Sequence, residues 1–216
     1  MKILAFSDIH GAYRRVDEIL LQEQEYDAVI LAGDLTTNGS VREAEVALHL
    51  FAKHAKPIFI VAGNMDPRAL EAVFAQHAHL VDARGEIFHD VGIFGVSGSP
   101  PTPFLTPYEI SEEEIALRAE AGWNQLLSAR VKIFVPHPPP LNTNCDKLPF
   151  GKHVGSSAVR AFIEQYQPDM CVCGHIHEAR GVDRIGKTHI VNCGPAGKGY
   201  YAVLTVAETV SIEVRG

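Results

Sequence analysis

Five nearly unbroken apolar runs punctuate the chain, and each ends abruptly on a polar residue. KILAFSD (2–8), AVILAGD (28–34), PIFIVAGN (57–64), VKIFVPH (131–137) and DMCVCGH (169–175) lack the alternation of half-exposed strands. They predict strands covered on both faces. Helical spacing fills the gaps between them. Val16, Ile19 and Leu20 predict a helix soon after His10. Ser40 and Glu43 form a capping box ahead of Ala44, Ala47, Leu48 and Phe51. Asp66 and Pro67 read as N-cap and first position of a third helix, with Ala69, Leu70, Val73 and Phe74 inward. Ser111 and Glu114 open a fourth helix running to about Ala129, and Ser156 or Ser157 opens a fifth with Val159, Phe162, Ile163 and Tyr166 on one face. Residues 86–97 and 182–214 read instead as short strands joined by tight turns containing Asp90, Gly92, Gly186 and Gly199. The pattern is βαβ-like first and antiparallel β afterwards. It predicts an α/β protein in which mixed sheets are sandwiched between helix layers.

Two segments fit neither element type. Residues 98–110 (GSPPTPFLTPYEI) and 136–150 (PHPPPLNTNCDKLPF) hold nine of the 13 prolines, which excludes helix interiors and predicts stiff loops. The second begins at the strand end carrying His137, so it is expected beside whatever site that residue serves.

A chain of 216 residues suits one domain, 1–216, with a core large enough to fold without disulfides. Charged residues make up 21% and the net charge is −7, which argues against general nucleic-acid binding. No apolar run approaches the ~20 residues of a membrane span. The N-terminus lacks the pattern of a secretory signal. The four cysteines, Cys145, Cys171, Cys173 and Cys193, form no CxxC pair, and buried reduced thiols in a cytoplasmic protein are expected.

The polar strand ends carry the candidate chemistry. In order they are Asp8 and His10, Asp34, Asn64, His137, then His175 and His177. Ligands of open α/β sheets bind beyond the carboxyl ends of strands, so these residues are expected to converge. Two carboxylates, one amide and four imidazoles without a thiolate suit Mn²⁺, Fe²⁺/³⁺, Zn²⁺, Co²⁺ or Ni²⁺ better than Ca²⁺. Seven donors exceed one catalytic ion and suit two, ~3.5–4 Å apart, with one carboxylate bridging. Any one of these residues alone could be a cap, a turn or a loop residue. The repeated block of apolar strand followed by metal-type ligand is the signal.

The blocks DxH, GD, GN, H and GHxH, in this order over residues 8–177, resemble the calcineurin-like metallophosphoesterase superfamily. The stretch from HPPP through GKHVGSSAVRAFI to CGHIHEARG further resembles its small prokaryotic Icc-related members. The resemblance implies a four-layer αββα sandwich of two mixed sheets flanked by helices. It implies that Asp8, His10 and His177 hold one metal, that Asn64, His137 and His175 hold the second, and that Asp34 bridges. A hydroxide between the ions would attack phosphorus in phosphodiesters or phosphomonoesters, with Mn²⁺ the favoured metal.

One position departs from that pattern. The family block is usually GNH, its histidine commonly assigned to protonating the leaving group, and here Met65 follows Asn64. A thioether donates no proton, so slow turnover of poor leaving groups is expected unless another acid serves. The candidates are His153 and Asp66, although a loop residue and an N-cap are the plainer readings of the two. The helix start at Gly155–Ser157 offers amides to a phosphate oxygen. The expected partner is a small phosphate ester, with no membrane and no nucleic acid, and the sequence leaves room for a homo-oligomer. The competing readings are a nuclease with the same motifs, a protein phosphatase, and a non-catalytic scaffold on this fold. Acidity opposes the first, the lack of a large insert the second, and the intact donor set the third.

Overall fold

In the computed structural model, which describes residues 1–216, twelve strands and five helices follow the chain. The strands are β1 (Lys2–Phe6), β2 (Ala28–Ala32), β3 (Ile58–Val61), β4 (His79–Leu80), β5 (Gly85–Phe88), β6 (Val91–Val96), β7 (Val131–Pro136), β8 (Met170–Cys173), β9 (Gly181–Ile185), β10 (Thr188–Asn192), β11 (Tyr201–Val206) and β12 (Val210–Arg215). The helices are α1 (Tyr13–Glu23), α2 (Val41–Ala52), α3 (Glu71–His77), α4 (Glu112–Trp123) and α5 (Ser157–Tyr166). One six-stranded sheet has the order β12-β11-β1-β2-β3-β4, the other β5-β6-β7-β8-β10-β9. All five apolar runs of the sequence are strands, and β1, β2, β7 and β8 are the central pairs of the two sheets.

Three buried layers explain why those strands are apolar on both faces. Leu4, Phe6, Val29 and Leu31 pack outward against Val16, Leu20, Leu48, Phe51 and Phe74 of α1, α2 and α3. Their neighbours Ile3, Ala5 and Ile30 point the other way and meet Ile93, Ile133, Val135 and Val172 of the second sheet. On that sheet's far side Phe94, Phe134 and Cys171 pack on Ile115 of α4 and Phe162 of α5. The result is the four-layer α/β/β/α sandwich. Truncating a fully buried ring such as Phe6 or Phe134 is expected to cost about 3–5 kcal/mol. No helix is long and apolar enough to cross a membrane.

Some local expectations fail. α4 ends at Trp123, and residues 124–129 are turns that still bury Leu126 and Ala129, which extended the apolar period past the helix. The third helix opens as a 3-10 turn over Arg68–Leu70, with Ala69 exposed. Gly92 lies inside β6 rather than in the turn, where a Cβ would crowd Ala129 and Leu126. The C-terminal third is not purely antiparallel. β10 pairs antiparallel with β9 but parallel with β8, because the β9–β10 hairpin folds back to insert its second strand.

The chain ends are drawn together by one carboxylate. Glu23 at the end of α1 accepts bonds from Lys2 Nζ, Tyr201 Oη and Arg215 Nη1, each at 2.6 Å.

Candidate metal centre

The seven expected donors sit at the carboxyl ends of parallel strands. Asp8 and His10 follow β1, Asp34 follows β2, Asn64 follows β3, His137 follows β7, and His175 and His177 follow β8. The chain must turn sharply there. Asp8, His10, Asp34 and His175 have φ of 51°, 46°, 53° and 68°, the left-handed region that non-glycine residues rarely occupy. Such strain persists only where the surroundings enforce it. Two glycines provide the room. A Cβ on Gly63 would collide with Asp34 Oδ1, and one on Gly174 would collide with Asp8 Oδ2.

The donors form two imidazole pairs around two carboxylates. The rings of His10 and His177 lie 5.3 Å apart, and those of His137 and His175 lie 5.1 Å apart. Asp34 Oδ2 is 3.5 Å from His10 Nε2 and also 3.5 Å from His137 Nε2. His177 Nε2 is 3.3 Å from Asp8 Oδ1. Asn64 Oδ1 lies 3.0 Å from His137 Nε2 and 2.8 Å from His175 Nδ1. Two donors each about 2.1 Å from one ion lie roughly 3.0–3.4 Å apart, so these spacings suit shared coordination. Asp8, His10 and His177 form one group able to hold a metal, and Asp8, Asp34 and His137 form another.

Hydrogen bonds at the back of the donors fix which atoms face the centre. His137 Nδ1 lies 2.8 Å from the carbonyl oxygen of Ala32, which turns Nε2 toward the centre. Asp34 Oδ1 accepts from the Met65 backbone amide at 2.8 Å, leaving Oδ2 inward. Asp8 accepts from Ser7 Oγ at 2.7 Å and from the His175 amide. His10 Nδ1 is 3.0 Å from Thr37 Oγ1. Behind Asn64, its backbone carbonyl accepts from the Tyr108 amide at 3.0 Å. The Tyr108 hydroxyl sits in a buried network with Arg118, Glu71 and Asp82, which anchors the first proline-rich loop. Sequence reading missed Ser7, Thr37 and Tyr108, since only the fold brings the latter two to the donors.

The electrostatics favour cations. Burial works against the Asp8 charge, yet the His177 hydrogen bond and the nearby His137 hold its carboxyl well below the usual range. Burial likewise opposes charge on His137, but Asp34 and Asp8 push that imidazole up to about 9. His175 is pushed down to about 4 by burial and by His137. The buried Asp8 carboxylate thus stays ionised among crowded imidazoles, and the nitrogen and oxygen donor set fits divalent transition ions.

The remaining candidates separate clearly. Asp66 is not an N-cap. It is fully buried, and its oxygens accept from the amides of Leu35, Thr36 and Gly63 and from Thr36 Oγ1, stapling the β2 and β3 ends together. Burial and the Asp34 charge push its carboxyl up to about 6. His153 Nδ1 lies 2.7 Å from Asp146 Oδ1 on the loop after His137. Met65 is half-exposed beside Asp34. The α5 N-terminus is closed to phosphate: Glu112 of α4 accepts from the Ser157 and Ala158 amides at 3.0 and 2.9 Å, and Gly155 donates to Asp146. All four cysteines are free and buried.

The chain is 30% identical over 222 residues to an uncharacterized protein of Methanocaldococcus jannaschii, covering 99% of this chain and 96% of that one. Its fold matches the crystal structure of TT1561 of Thermus thermophilus with a TM-score of 0.75 at 18% identity, over 100% of this chain and 98% of that one. It also matches the 5'-nucleotidase from Candida albicans SC5314 with a TM-score of 0.57 at 13% identity, over 99% of this chain but 51% of that one. The family model of the calcineurin-like phosphoesterases matches residues 1–179, which include every one of the seven donors. By that match, and with two mixed sheets stacked between helices, the chain belongs to the calcineurin-like phosphoesterase family.

Proposed function

We infer that this protein is a two-metal phosphoesterase that hydrolyses small phosphodiesters or phosphomonoesters. The observation carrying this reading is the single oxygen of Asp34 set 3.5 Å from an imidazole of each pair. Asp8, His10 and His177 are read as holding one ion, Asn64, His137 and His175 the other, and Asp34 both. Such ions lower the pKa of water and offset charge on phosphoryl oxygens.

The chain's own part is preorganisation. Ser7 and the His175 amide hold Asp8, the Met65 amide holds Asp34, and the Ala32 carbonyl holds the His137 ring in place. These bonds keep the donors from reorienting as charge develops on phosphate. Asp8, Asp34 and His137 are buried, whereas His10 and His177 are partly exposed, with side chains 24% and 40% accessible. Substrate therefore has an approach from the His10–His177 side.

The test is metal counting alongside a panel of phosphate esters. Protein loaded with Mn²⁺ is expected to carry two ions per chain and to hydrolyse bis-nitrophenyl or nitrophenyl phosphate, with EDTA abolishing activity. Two bound ions with no ester cleaved would leave a scaffold. Cleavage of DNA far above small esters would make it a nuclease.

A further inference from the structure

The loop that leaves β7 at His137 is organised by one buried carboxylate. Asp146 accepts from the backbone amides of Asn142, Thr143 and Gly155 at 3.1, 2.8 and 2.9 Å. Those bonds already satisfy it and close the loop. A fourth partner is added: His153 Nδ1, at 2.7 Å. Lys147 and His153 pair as an antiparallel bridge, so His153 stands on a short hairpin whose tip bears the exposed Phe150.

The loop that carries this hairpin is tied at two points to segments bearing the candidate ligands. It begins at His137. Further on, Asn192 Nδ2 donates to the carbonyls of both Cys145 and Ile176, at 3.0 and 2.9 Å. Cys145 precedes Asp146, and Ile176 lies between His175 and His177. One side chain thus links the Asp146–His153 pair to the GHIH turn.

The pair has the form of an oriented acid. Donation from Nδ1 to a buried carboxylate orients the ring and leaves Nε2 without a protein partner. The side chain is 30% exposed, so Nε2 can meet a ligand, while the Asp146 side chain is wholly buried. Lys147 lies across the hairpin and Lys152 beside it, while Arg160 donates to the Asn142 carbonyl and Asp183 accepts from the Asn144 amide on the same loop. Asp66, by contrast, has its oxygens committed to four donors inside the fold.

We propose that His153, oriented by Asp146, protonates the leaving oxygen at this site, so that the enzyme cleaves phosphate esters of unactivated alcohols despite Met65. The proposal rests on the phosphoesterase reading above. As the bond from phosphorus to the leaving oxygen breaks, that oxygen takes the proton of the imidazolium Nε2 and departs as a neutral alcohol. The imidazole keeps its Nδ1 proton on Asp146 and regains the other from water. His153 is then a catalytic residue and Asp146 a positioning residue.

The experiment plots log kcat/KM against leaving-group pKa for aryl to alkyl esters, using Mn²⁺-loaded parent, His153→Asn and Asp146→Asn. The parent line is expected to be shallow. His153→Asn is expected to lose about 10²–10⁴-fold on alkyl esters and little on nitrophenyl esters, with its metal content unchanged. Asp146→Asn is expected to steepen the line in the same way, with its metal content unchanged. In parallel, inorganic phosphate added to Zn²⁺-loaded parent is expected to shift the His153 imidazole ¹⁵N resonances. An unchanged slope in His153→Asn, or a loss equal across all esters, overturns the assignment, as does a His153 resonance that ignores phosphate. A parent that binds two ions and cleaves no ester rejects the phosphoesterase reading itself, and this proposal with it.

Discussion

Met65 donates its backbone amide to Asp34 Oδ1 at 2.8 Å, so the residue whose side chain has no proton to give still aims the carboxylate between the imidazole pairs. That tie is independent of the side chain. Met65→Ala is expected to retain the parent metal content, whereas Asp34→Asn loses more than about 100-fold in metal affinity and all hydrolysis, since losing a donor exceeds the effect of an outer-shell change. Metal analysis and circular dichroism together separate this from unfolding; an Asp34→Asn protein with two tightly bound ions would refute the bridging role.

Gly63→Ala tests the same carboxylate without removing any donor. The added Cβ has no room beside Asp34 Oδ1, so the side chain must swing away. Metal affinity is expected to fall at least about ten-fold while the fold persists. Isothermal titration with Mn²⁺ measures it, and an unchanged affinity would show that the β3 end relaxes freely.

The strands and the seven polar residues at their ends were legible because they depend on short-range pattern: an apolar run buried on both faces, then a polar residue the core rejects. What escaped reading depends on partners distant in sequence. Asp66 precedes a proline and looks like a cap, yet its oxygens serve Leu35 and Thr36, some thirty positions earlier. The amides at the start of α5 look free until Glu112, 45 residues upstream, reaches them. Leu126 and Ala129 continue the helical apolar period although the helix has ended, because turns can bury the same face.

Glu112 therefore holds α5 in place rather than leaving an anion site. Glu112→Ala removes acceptors from the Ser157 and Ala158 amides and from Ser156 Oγ. A loss of about 1–3 kcal/mol is expected by urea denaturation, with metal content unchanged. Stability equal to the parent would show that water or Ser156 alone suffices.

Acid should loosen the junction of the chain ends. Burial works against the Glu23 charge, but Lys2, Tyr201 and Arg215 hold its carboxyl down at about 2, against an ordinary value of 4.5. A depressed carboxyl stabilises the fold fully above its unfolded pKa and loses that contribution as pH falls toward its folded value. Between about pH 4.5 and 2 the parent is expected to lose stability more steeply than Glu23→Gln. Parallel slopes in denaturation against pH would exclude this linkage.

The left-handed backbone at Asp8, His10, Asp34 and His175 has an evolutionary consequence. This backbone region costs an ordinary L-residue of order 1–2 kcal/mol, and a domain's whole margin is only about 5–15 kcal/mol. A descendant copy in which the proposed metal site is no longer selected gains by placing glycine at these turns, and each replacement also removes one of the proposed ligands. Selection for sturdiness and selection for chemistry thus pull the same four codons in opposite directions. Inactive offshoots of this lineage are expected to melt at higher temperature than their metal-free active cousins, and to have lost these positions before any residue of the apolar layers.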